Sequence, residues 1–112
     1  MVQELCTIVR LRVRREAQEP GSAFGCGTAM LLQGIEELHS LNQAAKRMGM
    51  AYSKAWKSIR ATEEHLGFQL IERQAQHGSI LTERGKRFLD CFLRAEAAAE
   101  AAAEAVFREW QD

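Results

Sequence analysis

The chain has 112 residues, is 46% hydrophobic and 27% charged, and carries 15 basic and 15 acidic side chains that cancel to a formal net charge of +0. A chain of this length closes one core, and its composition is that of an average globular domain, which excludes a disordered or collagen-like polymer. No apolar run approaches the roughly 18 residues needed to span a bilayer. Charged positions from Arg10 onward interrupt any secretion signal, so a soluble cytoplasmic protein is expected.

Cys6, Cys26 and Cys91 are odd in number and widely spaced, which fits neither a disulfide framework nor a paired-cysteine metal site. They read as reduced thiols, either small buried apolar side chains or, for one of them, a redox sensor. Net neutrality conceals a segregation of charge. Residues 40 to 62 carry Lys46, Arg47, Lys54, Lys57 and Arg60 with no acid, whereas residues 88 to 112 carry six acids against two bases. The basic island is either a face that meets an anion, most simply a phosphate backbone, or a solvated helix face.

From Leu5 to Val13 the odd positions Leu5, Thr7, Val9, Leu11 and Val13 are mostly apolar while Arg10, Arg12 and Arg14 take even ones. Period two predicts a half-buried strand. Glu19 to Ser22 break it as a loop that Gly25 and Gly27 prolong. Between Thr28 and His39, Met30, Leu31, Ile35 and Leu38 recur at helical spacing opposite Glu36 and Glu37. Ser40 is a candidate N-cap for a short helix with Leu41, Ala44, Ala45 and Met48 on one face, ending at Gly49. A third helix, about 51–66, turns Ala55, Trp56, Ile59 and Leu66 inward and Lys54, Lys57 and Arg60 elsewhere, and ends at Gly67.

Leu70-Ile71 and Ser79 to Leu81 are short β-prone runs around Gln74 to Gly78, which predicts a hairpin. Thr82 and Gly85 make an imperfect start to a long Ala/Glu-rich helix. On it, Phe88, Phe92, Ala95, Ala99, Ala102 and Val106 recur at alternating spacings of four and three, a heptad seam that Trp110 extends. Glu96, Glu100 and Glu104 form another stripe, expected to remain solvated. A helix from Glu83 to Trp110 runs roughly 40 Å at about 1.5 Å per residue. That is more than one small core covers, so the seam asks for a second copy; the alternative is a helix that frays in solvent.

The order strand, helix, short helix, glycine turn, basic helix, hairpin is that of a winged helix-turn-helix: mainly α with a small β component, followed by a long C-terminal dimerisation helix. The domain division is 1–82 for the winged unit and 83–112 for the arm. In a helix-turn-helix the second helix lies in the major groove, roughly 12 Å wide, and the first braces it, so small residues are needed where the helices touch. Ala44 and Ala45 supply that contact, Gly49 the turn, and Met50 fills the space between the helices.

Ser40 to Arg73, with Ala44-Ala45, Gly49-Met50, Ile59, Glu63, Leu66-Gly67, Leu70 and Glu72-Arg73, resembles the DNA-binding region of LysR-type regulators. The run Gly49-Met50-Ala51-Tyr52-Ser53-Lys54-Ala55-Trp56 is closer to the amino-terminal domain of the molybdate-responsive ModE-type regulators, and Leu81 to Gly85 resembles the junction of wing and long helix in both. The wing is shorter than the glycine-rich ModE wing. The oxyanion-binding modules are absent from this sequence, so molybdate sensing is not expected. The resemblance maps groove-reading positions to Ala51, Tyr52, Ser53, Lys54 and Lys57. Chemistry agrees: Lys54 and Lys57 are one turn apart and reach phosphate or guanine edges, and Ser53 donates or accepts.

Ser40 joins these positions at the start of the short helix. Tyr52 is a phosphate contact or partial core, Trp56 is core or a stacking platform, and Arg60 is a phosphate contact or a partner of Glu63 or Glu64. Arg73 and His77 would track the neighbouring minor groove. The dimer seam is Phe88, Phe92, Ala95, Ala99, Ala102, Val106 and Trp110.

The reading is a homodimeric, sequence-specific DNA-binding transcriptional regulator of bacterial type acting on an inverted-repeat operator. Its alternative is a winged-helix module that docks on a larger protein. His39, His65 and His77 have no nucleophile or carboxylate constellation around them, no glycine-rich phosphate loop is present, and neither catalysis, metal nor cofactor is expected.

Overall fold

The computed structural model describes residues 5–16, 23–74 and 78–111. Five helices and strands of the winged unit, α1 (Cys26–Leu38), α2 (Leu41–Arg47), α3 (Tyr52–Leu66), β1 (Ile71–Gln74) and β2 (Gly78–Leu81), precede the 29-residue α4 (Glu83–Gln111).

The first helix turns inward part of the face its periodicity predicts, Leu31 and Ile35 but not Met30 and Leu38. Thr28, Ala29, Leu31, Leu32, Gly34 and Ile35 are buried, while Met30 and Leu38 are exposed. The reason lies in α2, which crosses so closely at Gly34 that a methyl group there would sit 2.7 Å from the Ala44 Cβ. That crossing draws the 31/32/35 stripe into the core and leaves Met30 and Leu38 at its margins. Leu41, Ala44 and Ala45 face the same junction, and the small alanines permit it.

Both ends of α2 are capped as the sequence suggests. The Ser40 hydroxyl accepts from the Gln43 amide at 3.1 Å. At the other end Gly49 sits at φ +68, with its N–H donating to Lys46 O at 3.0 Å and the Met50 N–H to Ala45 O at 2.9 Å. This pair of reversed bonds satisfies two orphan carbonyls and swings the chain into α3. Met50 is half-buried against the core.

β1 and β2 form a two-stranded antiparallel sheet in which Ile71 faces Leu81 and Gln74 faces Gly78. Near its turn end it is tied to the α1–α2 turn by the Ser79 amide, which donates to His39 O at 3.2 Å. Thr82 then starts α4: its hydroxyl accepts from the Gly85 amide at 2.9 Å and donates back to Gln69 O at 2.7 Å. The imperfect start is therefore a working N-cap.

The amino-terminal segment alternates as expected, with Thr7, Val9, Leu11 and Val13 half-buried and Ile8, Arg10, Arg12 and Arg14 exposed. It does not become a strand of the sheet. Among the described residues its β-pairing is one isolated bridge, Val13 with Phe24, closed by two 2.8 Å bonds. Upstream of it the segment lies along α4. The Leu11 amide donates to Glu96 Oε2 and the Val9 amide to Glu100 Oε2, both at 3.1 Å, and the Thr7 hydroxyl donates to Glu100 O at 2.9 Å. Two residues of extended chain advance about 6.6 Å and four of helix about 6 Å, so alternate amides meet glutamates spaced by four. Glu96 and Glu100 are thus half-buried acceptors, not the solvated stripe expected of them.

The core gathers Phe24, Leu31, Leu32, Ile35, Leu41, Ile59 and Leu70. Leu89 and Phe92 of α4 close it, and Phe24 meets Phe88 and Phe92 edge-on at centroid distances of 4.8 and 4.9 Å. Each such pair contributes about 1 kcal/mol beyond its buried area. Phe88 and Phe92, expected on a seam between copies, are therefore spent within this domain. Cys6 and Cys91 are exposed and Cys26 half-buried, all free thiols, so the reading of them as buried core side chains is corrected. No described helix is long and apolar enough to cross a membrane.

Candidate nucleic-acid interface

The third helix divides cleanly. Ala55, Ile59, Thr62, Glu63, His65 and Leu66 are buried, and Ala51, Tyr52, Ser53, Lys54, Lys57 and Arg60 are exposed. Burying one Ile or Leu side chain stabilises by about 1.5–3 kcal/mol, so this face fixes the rotation of the helix and with it the direction of the lysines.

Of the five cations in the acid-free island, two are already paired. Arg47 meets Glu37 of α1 at 2.6 Å, and Arg60 lies 3.8 Å from Glu63. Lys46, Lys54 and Lys57 form no ion pair among the described residues. An unpaired ammonium on an exposed helix keeps its full attraction for a polyanion, whereas a paired one must first give up its partner.

Trp56 is half-buried, and two guanidinium groups lie over its indole. Arg60 from the same helix and Arg73 from β1 each place Cζ 4.6 Å from a ring centroid. Arg73 also donates from Nη2 to the Tyr52 hydroxyl at 2.5 Å. Tyr52 is thereby turned toward the wing rather than into the core. Beside it an open cleft is lined by Ser40, Leu41, Asn42, Tyr52, Arg73, Gln74, Gly78 and Ser79. The structure so brings Ser40, Tyr52 and Arg73 to one concavity and sets Lys54 and Lys57 on the exposed face of the helix that borders it. His77 lies outside the described residues.

Sequence reasoning missed two residues that hold the reading helix. Glu63 is buried, and its Oε2 accepts from the amides of Leu70 (2.7 Å) and Ile71 (3.2 Å), so one carboxylate joins α3 to the first wing strand. Such a charge is tolerated in the interior because amides and the Arg60 guanidinium compensate it. Its place between Arg60 and Leu66 in a helical stripe offered no signal beyond membership of the quoted motif. Arg15 donates from Nε to Leu66 O at 2.8 Å, from Nη2 to the same oxygen, and from its backbone amide to His65 Nε2 at 3.2 Å. A cation at the carboxyl end of α3 satisfies a terminal carbonyl and complements the helix dipole. Arg15 is exposed and lies just beyond the Leu5 to Val13 alternation, so no local pattern announced this contact.

On the long helix the expected seam is split. Phe92 is buried, Phe88 and Ala99 are half-buried, and Ala95, Ala102, Val106 and Trp110 are exposed. Phe107, which no periodic argument placed on the seam, is exposed beside them.

No curated protein matches the chain in a sequence comparison. The family model for the bacterial regulatory helix-turn-helix proteins of the lysR family matches residues 30–86. Among solved structures, the CbnR_DBD–DNA complex is similar at a TM-score of 0.60 and 23% identity, over 74% of this chain and 94% of that one. CbnR itself, a LysR family transcriptional regulator, is similar at 0.58 and 25% identity; 71% of this chain aligns with 27% of the regulator. BenM_DBD bound to benA site 1 DNA is similar at 0.58 and 22% identity, over 73% of this chain and 91% of that one. The matched segment runs from the first helix through the wing to the start of α4, and the chain belongs to the lysR family of bacterial regulatory helix-turn-helix proteins, whose fold and family are those of a DNA-binding transcription regulator and not of an enzyme.

Proposed function

We propose that the chain works as a homodimer that inserts α3 of each copy into successive major-groove faces of an inverted-repeat operator. Ala51, Tyr52, Ser53, Lys54 and Lys57 face the groove, and Ser40, Arg60 and Arg73 meet the sugar–phosphate backbone, Arg73 where it borders the neighbouring minor groove; His77, assigned to that same groove, lies outside the described residues. The observation that carries this reading is the split of α3: one face locked by Ala55, Ile59 and Leu66, the other bearing Lys54 and Lys57 with no ion pair among the described residues. Two copies joined through the exposed part of α4 would set half-sites about one helical turn, roughly 34–36 Å, or a multiple apart. Residues 1–82 then form the DNA-reading unit and 83–112 the arm, whose first turns also close the core of that unit.

The finer likeness to the ModE-type amino-terminal domain rests on the run Gly49 to Trp56. No effector is assigned, and work on DNA puts the protein in the cytoplasm. The charge-reversed variant Lys54→Glu/Lys57→Glu should lose duplex binding in a fluorescence anisotropy titration while its melting transition stays put. Unchanged affinity refutes the assigned face.

A further inference from the structure

We infer that Trp56 is a positioning residue: its indole, with the Tyr52 hydroxyl, holds Arg73 of the wing and Arg60 of α3 as a preorganised guanidinium pair that clamps the duplex backbone where groove helix and wing meet. This inference rests on the DNA-reading face proposed above and assigns a task to a residue that face does not include.

Three observations converge on it. Both guanidinium carbons lie 4.6 Å from the Trp56 ring, inside the range of a cation–π contact. Arg73 forms no ion pair among the described residues, and its hydrogen bond goes to a neutral hydroxyl, so its charge is retained while its direction is set; Arg60 gives up only a 3.8 Å contact to Glu63, whose other carboxylate oxygen the Leu70 and Ile71 amides already hold. Tyr52 accepts that bond with its oxygen, which leaves its own O–H to donate. Tyr52 and Arg73 line the open cleft that also holds Ser40 and Ser79.

The chemistry selects a phosphodiester. A guanidinium offers several donors in one plane and keeps them when stacked on an aromatic face, because stacking uses the π surface and leaves the edge N–H groups outward. An arginine free in solvent loses side-chain entropy on meeting a phosphate, and one already stacked on an indole has lost part of it beforehand. Trp56 thus strengthens an ionic contact that it does not itself make.

That separation of roles yields a readout which a purely structural tryptophan would not move. Affinity for a labelled mixed-sequence duplex is measured against salt for the wild type, Trp56→Leu, Trp56→Phe, Tyr52→Phe and Arg73→Gln. Removing one phosphate-neutralising cation makes the log–log slope shallower by about 1. Arg73→Gln removes one charge and should show that change. Trp56→Leu removes no charge, yet its slope should become shallower by about 1 to 2, and Trp56→Phe should restore most of it. A Trp56→Leu protein that melts like the wild type and keeps the wild-type slope overturns the clamp.

Should Trp56→Leu fail to fold, the exposed substitution Tyr52→Phe decides: weakened binding with part of the Arg73→Gln slope change supports the clamp, and wild-type binding overturns it. A wild-type protein that ignores the duplex even at low salt overturns the DNA-reading face itself. Wild-type binding with an indifferent Trp56 overturns the clamp alone.

Discussion

The two halves of α4 carry the same apolar rhythm and meet different fates. Near its start Leu89 and Phe92 are almost wholly buried against Phe24 and the winged unit, whereas near its end Val106 is 62% and Trp110 74% exposed. Between them the cover is thin: an extended segment that reaches Glu96 and Glu100 by backbone amides. A heptad stripe states that a helix face is to be covered, and says nothing of what covers it. In this chain the stripe is covered at its start by the domain's own core, the amino-terminal segment binds the neighbouring glutamate stripe beside its middle, and its end stays exposed.

Substitutions along α4 and its neighbours separate these fates. Phe92→Ala should cost the most, about 3–5 kcal/mol in urea unfolding, because it opens a cavity beneath Phe24. A loss under ~1 kcal/mol would mean that Phe92 serves a partner copy after all. Glu63→Ala should cost about 1–3 kcal/mol, since the Leu70 and Ile71 amides lose their buried acceptor. Thr82→Ala removes the cap of α4 and should cost about 1 kcal/mol, with faster amide exchange in the first turn.

Glu96→Ala/Glu100→Ala strips the acceptors of Leu11 and Val9 and should cost about 1 kcal/mol, with exchange accelerating at those two amides in particular. Unaltered exchange there would show that the segment does not depend on α4. At the tip, Val106→Ser/Trp110→Ser should move monomer stability by less than ~0.5 kcal/mol, because exposed side chains have little burial to lose. The same variant should shift sedimentation from dimer toward monomer; a persistent dimer would put the interface elsewhere.

Much of this architecture was legible in the chain. The helix boundaries near Ser40, Gly49 and Gly67 follow from caps and a glycine in left-handed conformation, which are local matters settled within a few residues. The hairpin and the exposed lysines of α3 follow from two short β-prone runs around a polar turn and from helical spacing, again local. Met30 and Leu38 were read inward and lie outward, because which part of a broad apolar face is buried depends on the angle at which α2 crosses, and that angle is set by Gly34 against Ala44. Trp56 could be read as core or platform; it is half-buried under two arginines, one of them 17 residues away in sequence.

By itself, then, the order of amino acids determined the elements, the basic face and the family resemblance, since each depends on periodicities and caps no longer than a few turns. Tertiary structure alone decided that Arg15 caps the carboxyl end of α3, that Glu63 ties α3 to the wing, and that Glu96 and Glu100 bind backbone amides. In every such case a polar group is satisfied by a partner brought near through packing. Hydrogen bonds are short-ranged in space and indifferent to distance along the chain, so no local pattern announces them.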